Sequence, residues 1–264
     1  MKKELFFHPQ MLPFFPLITG AVGFVMRLIL MKTQIGPDGL LTARHPLSIL
    51  LYVLSICTLV VLFMCVRPLK VDPRRYRRMF RQNTWCAFGA AIAGVGCLVT
   101  SLQVLDAQQD FFNILTTFMS FVAAVCLGLL GFHRQRGMKP HYLVHAGIVV
   151  YLMLHLISLY RTWSPEPQLQ LYVFQLLGSV CLLLCSYQAI CLDMQKGDRR
   201  VYTFFNQAAL FFCLLSLTDA NLFFYLGMGF YMATNLCSLH VSRTYLGEEE
   251  SQPTEETEAD SEEA

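Results

Sequence analysis

Charged side chains are scarce in this sequence. Only 14% of its 264 residues are Asp, Glu, Lys or Arg, and 55% are hydrophobic, whereas soluble domains contain roughly 25% charged residues. The few charges separate apolar runs of about 17–24 residues, and roughly 20 residues in a helix cross the hydrocarbon core of a bilayer. These features exclude a soluble globular protein and indicate a multi-pass protein of the cell membrane.

The alternation of polar and apolar residues that a lipid-facing strand requires is also lacking. Because lipid offers no partner to backbone polar groups, the spans are expected to be helices. A single helix from Phe204 to His240 would be roughly 55 Å long, nearly twice the hydrocarbon thickness, so we predict a turn at residues 218–221. The predicted fold is therefore all-α, with eight helices arranged as four hairpins, at 12–31, 46–66, 84–104, 111–132, 142–160, 169–192, 201–217 and 222–241.

Basic residues are unequally divided between the two sides of these spans. Sixteen Lys and Arg fall on the side that holds both termini and the loops 67–83, 133–141 and 193–200, and four fall on the other side. Cytoplasmic loops carry such an excess, so we predict that both termini are cytoplasmic. Orientation in the membrane accounts for the basic residues, and nucleic acid is not an expected partner.

The sequence contains one strongly basic segment, at 67–83, and one strongly acidic segment, at 247–264. The loop 67–83 contains Asp72 and Pro73, which favour a helix start, and five arginines follow that we predict to bind the anionic headgroups of the bilayer: Arg74, Arg75, Arg77, Arg78 and Arg81. The alternative is that these arginines only fix the orientation. Residues 247–264 contain nine acids and no base, so we predict a transmembrane domain at 1–246 and a disordered cytoplasmic tail at 247–264. The tail is either solvated or rests against the basic loop.

No pattern of residues typical of an enzyme, a metal site or a cofactor site is present. All ten cysteines lie within or at the ends of apolar spans, which predicts free thiols rather than a disulfide framework. His141 and His145 have the spacing of two ligands on one helix face, but no acid is near them in sequence, so we interpret them as residues of the membrane interface. Nucleophile elbows, P-loops and dinucleotide fingerprints are lacking. We expect no catalysis, no cofactor and no metal.

Polar residues inside the spans are few, and they are the default candidates for function. We predict that the substrate-binding residues are Arg27, His155, Gln175 and Asp219. The alternative for Arg27, which is one turn from the outer end of its span, is that its side chain extends to the headgroups. The alternative for His155 is a hydrogen bond to a neighbouring helix. An unpaired charge at such depth is costly, so Arg27 or Arg161 is expected close to Asp219.

Small residues are concentrated in the third span. Gly89 and Ala93, and likewise Ala90 and Gly94, have the small-xxx-small spacing that allows helices to approach closely, and Gly96 extends this face. The pattern predicts that the third span lies at the centre of the bundle.

Two functions fit this sequence. The first is a permease for a small or lipophilic solute, which would pass along a polar seam formed by the four candidate residues. The second is a non-catalytic sensor or assembly subunit, which would contact a membrane-protein partner through the basic loop and the acidic tail. A transporter requires a polar cavity that reaches into the membrane, whereas a sensor or subunit requires a filled core.

Overall fold

The computed structural model describes residues 13–34, 46–67, 83–107, 110–164, 172–194, 196–218 and 221–239. Within these residues the chain forms eight α-helices and no β-strand: α1 (Phe14–Gln34), α2 (Pro46–Val66), α3 (Thr84–Ala107), α4 (Phe111–Gln135), α5 (Tyr142–Trp163), α6 (Val173–Asp193), α7 (Arg199–Leu215) and α8 (Leu222–Ser238). A short 3-10 helix, Ser216–Thr218, follows α7. The predicted all-α multi-pass fold is confirmed, and each predicted boundary lies within four residues of the observed one.

Seven of the eight helices are long and apolar enough to cross a bilayer, by length and composition. The exception is α8, whose 17 residues extend about 26 Å at 1.5 Å per residue. Successive helices contact each other in the pairs α1–α2, α3–α4, α5–α6 and α7–α8, as the predicted hairpins require. We call the end of the bundle at which α1, α3, α5 and α7 finish the outer end, following the charge-based prediction, and the opposite end the inner end.

The small residues of α3 bring it close against both α4 and α8. A Cβ atom at Gly94 would lie 3.3 Å from the carbonyl oxygen of Ala124 in α4, and one at Gly96 would collide with the carbonyl oxygen of Phe223 in α8. The contact is therefore backbone against backbone, as small-residue faces permit in membranes. The predicted close approach of helices to the third span is confirmed, but its predicted central position is wrong, because α7 is the helix surrounded by α1, α2, α6 and α8.

The turn between α7 and α8 lies well below the outer ends of the neighbouring helices. Leu215, the last residue of α7, lies against Gly23, and Phe223 at the start of α8 lies against Gly96. Gly23 is eleven residues from the end of α1, and Gly96 is eleven residues from the end of α3, which corresponds to about 16 Å in each case. The longer helices therefore surround a space above this turn at the outer end.

The inner half of the bundle is filled by large side chains. Leu127, Tyr151, Leu152, Phe224 and Met228 are all less than 2% exposed and belong to one continuous core. The predicted basic loop and acidic tail lie outside the described residues, as do Arg74, Arg75, Arg77, Arg78, Arg81 and the predicted domain boundary at 246–247. Sidedness and lipid binding stay predictions.

Candidate functional site: a polar cavity at the outer end

A cavity of about 500 Å³ occupies the space above the α7–α8 turn. Its wall comprises residues from α1, α3, α4, α5 and α6, and the turn contributes to its floor. Among the sixteen described residues that line it, none is Asp, Glu, Lys or Arg. Ten are Ser, Thr, Asn or Gln, and these are Thr100, Ser101, Asn113, Thr116, Thr117, Ser158, Thr162, Gln175, Thr218 and Asn221. A pocket this size is within the roughly 300–1,000 Å³ of small-molecule sites.

The cavity reaches the middle of α5 at His155. This residue is eight positions before the end of α5 at Trp163, a depth of about 12 Å along the helix. It is also within three residues of the midpoint of α5. Solutes that enter at the outer end would therefore reach His155 before they meet the filled core.

Three buried polar atoms in the cavity wall make no hydrogen bond within the described part of the chain. They are the Nε2 atom of His155, the Oε1 atom of Gln175 and the Oγ1 atom of Thr100. Buried polar groups in proteins are almost always hydrogen-bonded to protein or water. The three atoms, which come from α5, α6 and α3, are therefore the unsatisfied polar atoms of this wall.

Neighbouring aromatic residues fix the positions of His155 and Gln175. The imidazole of His155 packs against the ring of Phe224, with 4.2 Å between the centroids, and it also stacks with Tyr151. The hydroxyl of Tyr225 donates a hydrogen bond of 3.1 Å to the backbone carbonyl of Gln175. Helix α8 thus supports both residues from below, although the Nε2 atom of His155 does not make the interhelical hydrogen bond weighed from the sequence.

Arg27 is not directed to the headgroups, so the interpretation that its side chain extends there is wrong. Its side chain is 2% exposed, and its Nη1 atom donates a hydrogen bond of 2.9 Å to the carbonyl oxygen of Leu215. The guanidinium also lies over the ring of Phe174, 5.1 Å from the centroid. The last carbonyls of a helix lack intrahelical partners and carry partial negative charge. Because α7 ends deep in the bundle, Arg27 satisfies one of these carbonyls there.

The four predicted substrate-binding residues are thus only partly brought together. His155 and Gln175 line the cavity, whereas Arg27 lies beside it at the end of α7 and is not among the lining residues. Asp219 lies outside the described residues, so its predicted contact with an arginine stays a prediction. The other arginine in that prediction, Arg161, is exposed and lies over the ring of Phe112 at 5.0 Å.

A second group of buried polar residues lies at the inner end. The Nδ1 atom of His145 in α5 and the Oδ2 atom of Asp193 in α6 are 2.9 Å apart, with both side chains at most 3% exposed. The two atoms are not aligned as a hydrogen bond, so the contact is electrostatic. The interpretation of His145 as an interface residue is therefore wrong, because the acid that is missing nearby in sequence comes from the next helix. His141, by contrast, caps α5 by accepting a bond from the backbone N–H of Leu143.

Sequence reasoning missed most of the cavity wall, although a signal was present. Serine and threonine recur at the outer ends of three successive helices: Thr100 and Ser101 in α3, Thr116 and Thr117 in α4, and Ser158 and Thr162 in α5. Each residue alone is unremarkable in a membrane helix. Their common depth, however, predicts a shared polar region once the helices are placed as hairpins.

The described helices contain no group of three or more His, Cys, Asp or Glu residues that could hold a metal ion. All ten cysteines are free thiols. Comparison with known proteins gave no match, since no protein-family model, no curated protein and no solved structure is significantly similar to this chain.

Proposed function

We propose that this membrane protein is a permease that binds a small, uncharged polar solute in the outer cavity. The observation that carries the proposal is the cavity itself, which is lined by polar residues of several helices and ends near the midpoint of α5. Carriers hold their substrates near the bilayer midplane, between helices that are interrupted or shortened. The short α7–α8 hairpin is such an interruption.

The closed inner half is consistent with a carrier open to one side. Below His155, the rings of Tyr151 and Phe224 fill the bundle, and both are at most 1% exposed. Further along, the contact between His145 and Asp193 holds the inner ends of α5 and α6 together. Transport would require these contacts to separate while the outer end closes, which is the alternating access of secondary transporters.

The test is solute uptake into liposomes that contain the purified full-length protein. A panel of neutral, anionic and cationic solutes is offered, and internal amounts are measured by mass spectrometry over time. We expect saturable uptake of at least one neutral solute. Replacement of Thr162 at the cavity rim by tryptophan (Thr162→Trp) should block this uptake, because the indole would fill the entrance.

A matched control is Thr33→Trp. Both threonines are exposed, and each donates its hydroxyl to the carbonyl four residues earlier, Ser158 for Thr162 and Ile29 for Thr33. Thr33 does not line the cavity, so the control should transport normally. Equal uptake by both variants, or no saturable uptake of any neutral solute, would contradict the proposal.

A receptor for the same kind of solute is the alternative, and the filled inner half favours it. A sensor would bind its ligand in the outer cavity and pass the signal through α5 and α6, with a membrane-protein partner at the basic loop or the acidic tail. The same panel distinguishes the two functions. A receptor is stabilised by a neutral solute against thermal unfolding but gives no uptake.

A further inference from the structure

Three hydroxyl groups of the cavity wall have their hydrogens occupied by backbone carbonyls. Thr116 donates to the carbonyl of Phe112 at 2.9 Å, and Thr117 donates to that of Asn113 at 2.8 Å. Thr162 donates in the same way to the carbonyl of Ser158 at 3.0 Å. A hydroxyl has one hydrogen and two lone pairs, so these three groups retain only acceptor capacity.

The amide of Gln175 adds another acceptor. Its Oε1 atom is buried and makes no hydrogen bond within the described residues, and the side chain is only 1% exposed. The backbone carbonyl of the same residue is occupied by the hydroxyl of Tyr225, which also contacts the Ser179 hydroxyl at 3.1 Å. Gln175 is therefore held by α8, while its side-chain oxygen has no hydrogen-bond partner among the described residues. Together with the hydroxyl oxygens of Thr116, Thr117 and Thr162, this amide oxygen gives the wall four acceptors, and the unbonded hydroxyl of Thr100 adds a group that can donate or accept.

Fixed charge does not line the cavity among the described residues. The sixteen lining residues include no acid or base, and the guanidinium of Arg27 lies behind Phe174, the residue that precedes Gln175. Among the described lining residues, a carboxylate solute would find no base and an ammonium solute would find no acid. Burying an uncompensated charge is costly, so a neutral solute is favoured.

A stacked aromatic pair forms one side of the cavity. Trp163 and Tyr172 both line it, and their rings are stacked with centroids 4.5 Å apart and planes 13° from parallel. Such a surface packs against the C–H face of a ring. The volume of about 500 Å³ equals that of about sixteen liquid waters at roughly 30 Å³ each, enough for a monosaccharide with several waters.

We infer that the outer cavity recognises a neutral ring solute rich in hydrogen-bond donors, of the class of monosaccharides and cyclic polyols. The inference rests on the proposed function, since it names the substrate class of the same site. The O–H groups of the solute donate to the hydroxyl oxygens of α4 and α5 and to the Oε1 atom of Gln175. The carbon face of its ring packs on Trp163 and Tyr172.

The test measures binding to the purified full-length protein in mild detergent. The probes are D-glucose, D-xylose and myo-inositol, together with fully O-methylated glucose, glucuronate and glucosamine. Methylation removes every donor of glucose but keeps its oxygen acceptors. We expect at least one neutral polyol to bind, and the methyl ether and the two charged sugars to bind at least roughly tenfold more weakly.

The variant Gln175→Leu removes the free acceptor and should weaken binding of the neutral polyol by roughly tenfold. The variant Gln188→Leu is the matched control, since it makes the same change in the same helix at a residue that does not line the cavity. Its affinity should equal that of the unmodified protein. Thermal unfolding without solute shows whether either variant has lost its fold.

The outcomes separate this inference from the proposed function. Equal binding of glucose and its methyl ether overturns the donor-rich class but leaves a permease for a neutral solute. Binding and uptake of charged sugars only contradicts both the substrate class and the proposed function. Unchanged affinity in a folded Gln175→Leu variant overturns the assigned recognition residue. If no solute binds and none enters liposomes, both the substrate class and the permease are contradicted.

Discussion

Gly96 and Gly128 are helical glycines in neighbouring helices, but only Gly96 touches another backbone. A Cβ atom at Gly96 would collide with the carbonyl of Phe223, whereas one at Gly128 would meet nothing within 4 Å. We predict that Gly96→Ala forces α3 and α8 apart and lowers stability by about 1–3 kcal/mol, the usual cost of overpacking.

Gly128→Ala should leave stability unchanged or raise it, because alanine is favoured over glycine in helices by roughly 1 kcal/mol. Thermal unfolding in detergent, followed by the reaction of a thiol dye with buried cysteines such as Cys97 and Cys213, measures both variants. Equal midpoints for the two alanine variants would contradict the close packing of α3 on α8.

Arg27 is expected to stabilise the fold rather than to bind the solute, and a substitution can separate these two roles. Arg27→Met removes the hydrogen bond to the Leu215 carbonyl, and we predict a loss of about 2 kcal/mol of stability with little change in solute affinity. Arg161→Met, at an exposed position, should stay within about 0.5 kcal/mol. The structural role is wrong if Arg27→Met lowers solute affinity and leaves the unfolding midpoint unchanged.

At the scale of elements, the inner ends of α5 and α6 depend on the contact between His145 and Asp193. Asp193→Asn removes the carboxyl group and leaves the buried imidazole of His145 without an acidic partner. We therefore predict that the free energy of unfolding falls by on the order of 2 kcal/mol. Asp198→Asn is the control, because Asp198 caps α7 by accepting from the backbone N–H of Arg200 at 2.8 Å, and asparagine caps equally well.

The same stability for both asparagine variants would show that the buried contact contributes nothing. A double variant that also replaces His145 with glutamine separates the pair from its individual members. If the two residues interact, the stability loss of the double variant is smaller than the sum of the two single losses.

The helices themselves were predictable from the sequence, because length and hydropathy alone determine where a chain crosses lipid. The relative heights of the helices were not. That α7 ends against Gly23 depends on packing between α1 and α7, and the resulting bond from Arg27 to Leu215 joins residues 188 positions apart. Hydropathy gave the depth of Arg27 but not the direction of its side chain.

The candidate site was predictable to the same limited extent. His155 and Gln175 stood out as polar residues in apolar runs, and both line the cavity. The hydroxyl residues around them did not, since serine and threonine are common in membrane helices. Asp193 was also missed as the partner of His145, because the contact joins two helices whose registers depend on their packing.

At the scale of the whole molecule, orientation follows from the sixteen-to-four division of basic residues. Reporter fusions at residues 75 and 138 should both report the cytoplasm, and a fusion at residue 108 should report the opposite side. Agreement between the fusions at 75 and 108 would overturn the predicted topology. The side of the membrane on which the outer cavity lies would then have to be assigned again.

The stacked pair in the cavity wall also has an optical consequence. The chain contains only two tryptophans: Trp85 at the inner start of α3, which is 67% exposed, and Trp163 in the cavity wall, which is 7% exposed. A Trp85→Phe protein therefore emits indole fluorescence from the cavity alone. A solute that displaces water from Trp163 should shift this emission to shorter wavelength, so the occupancy of the cavity can be read in a cuvette without any added label.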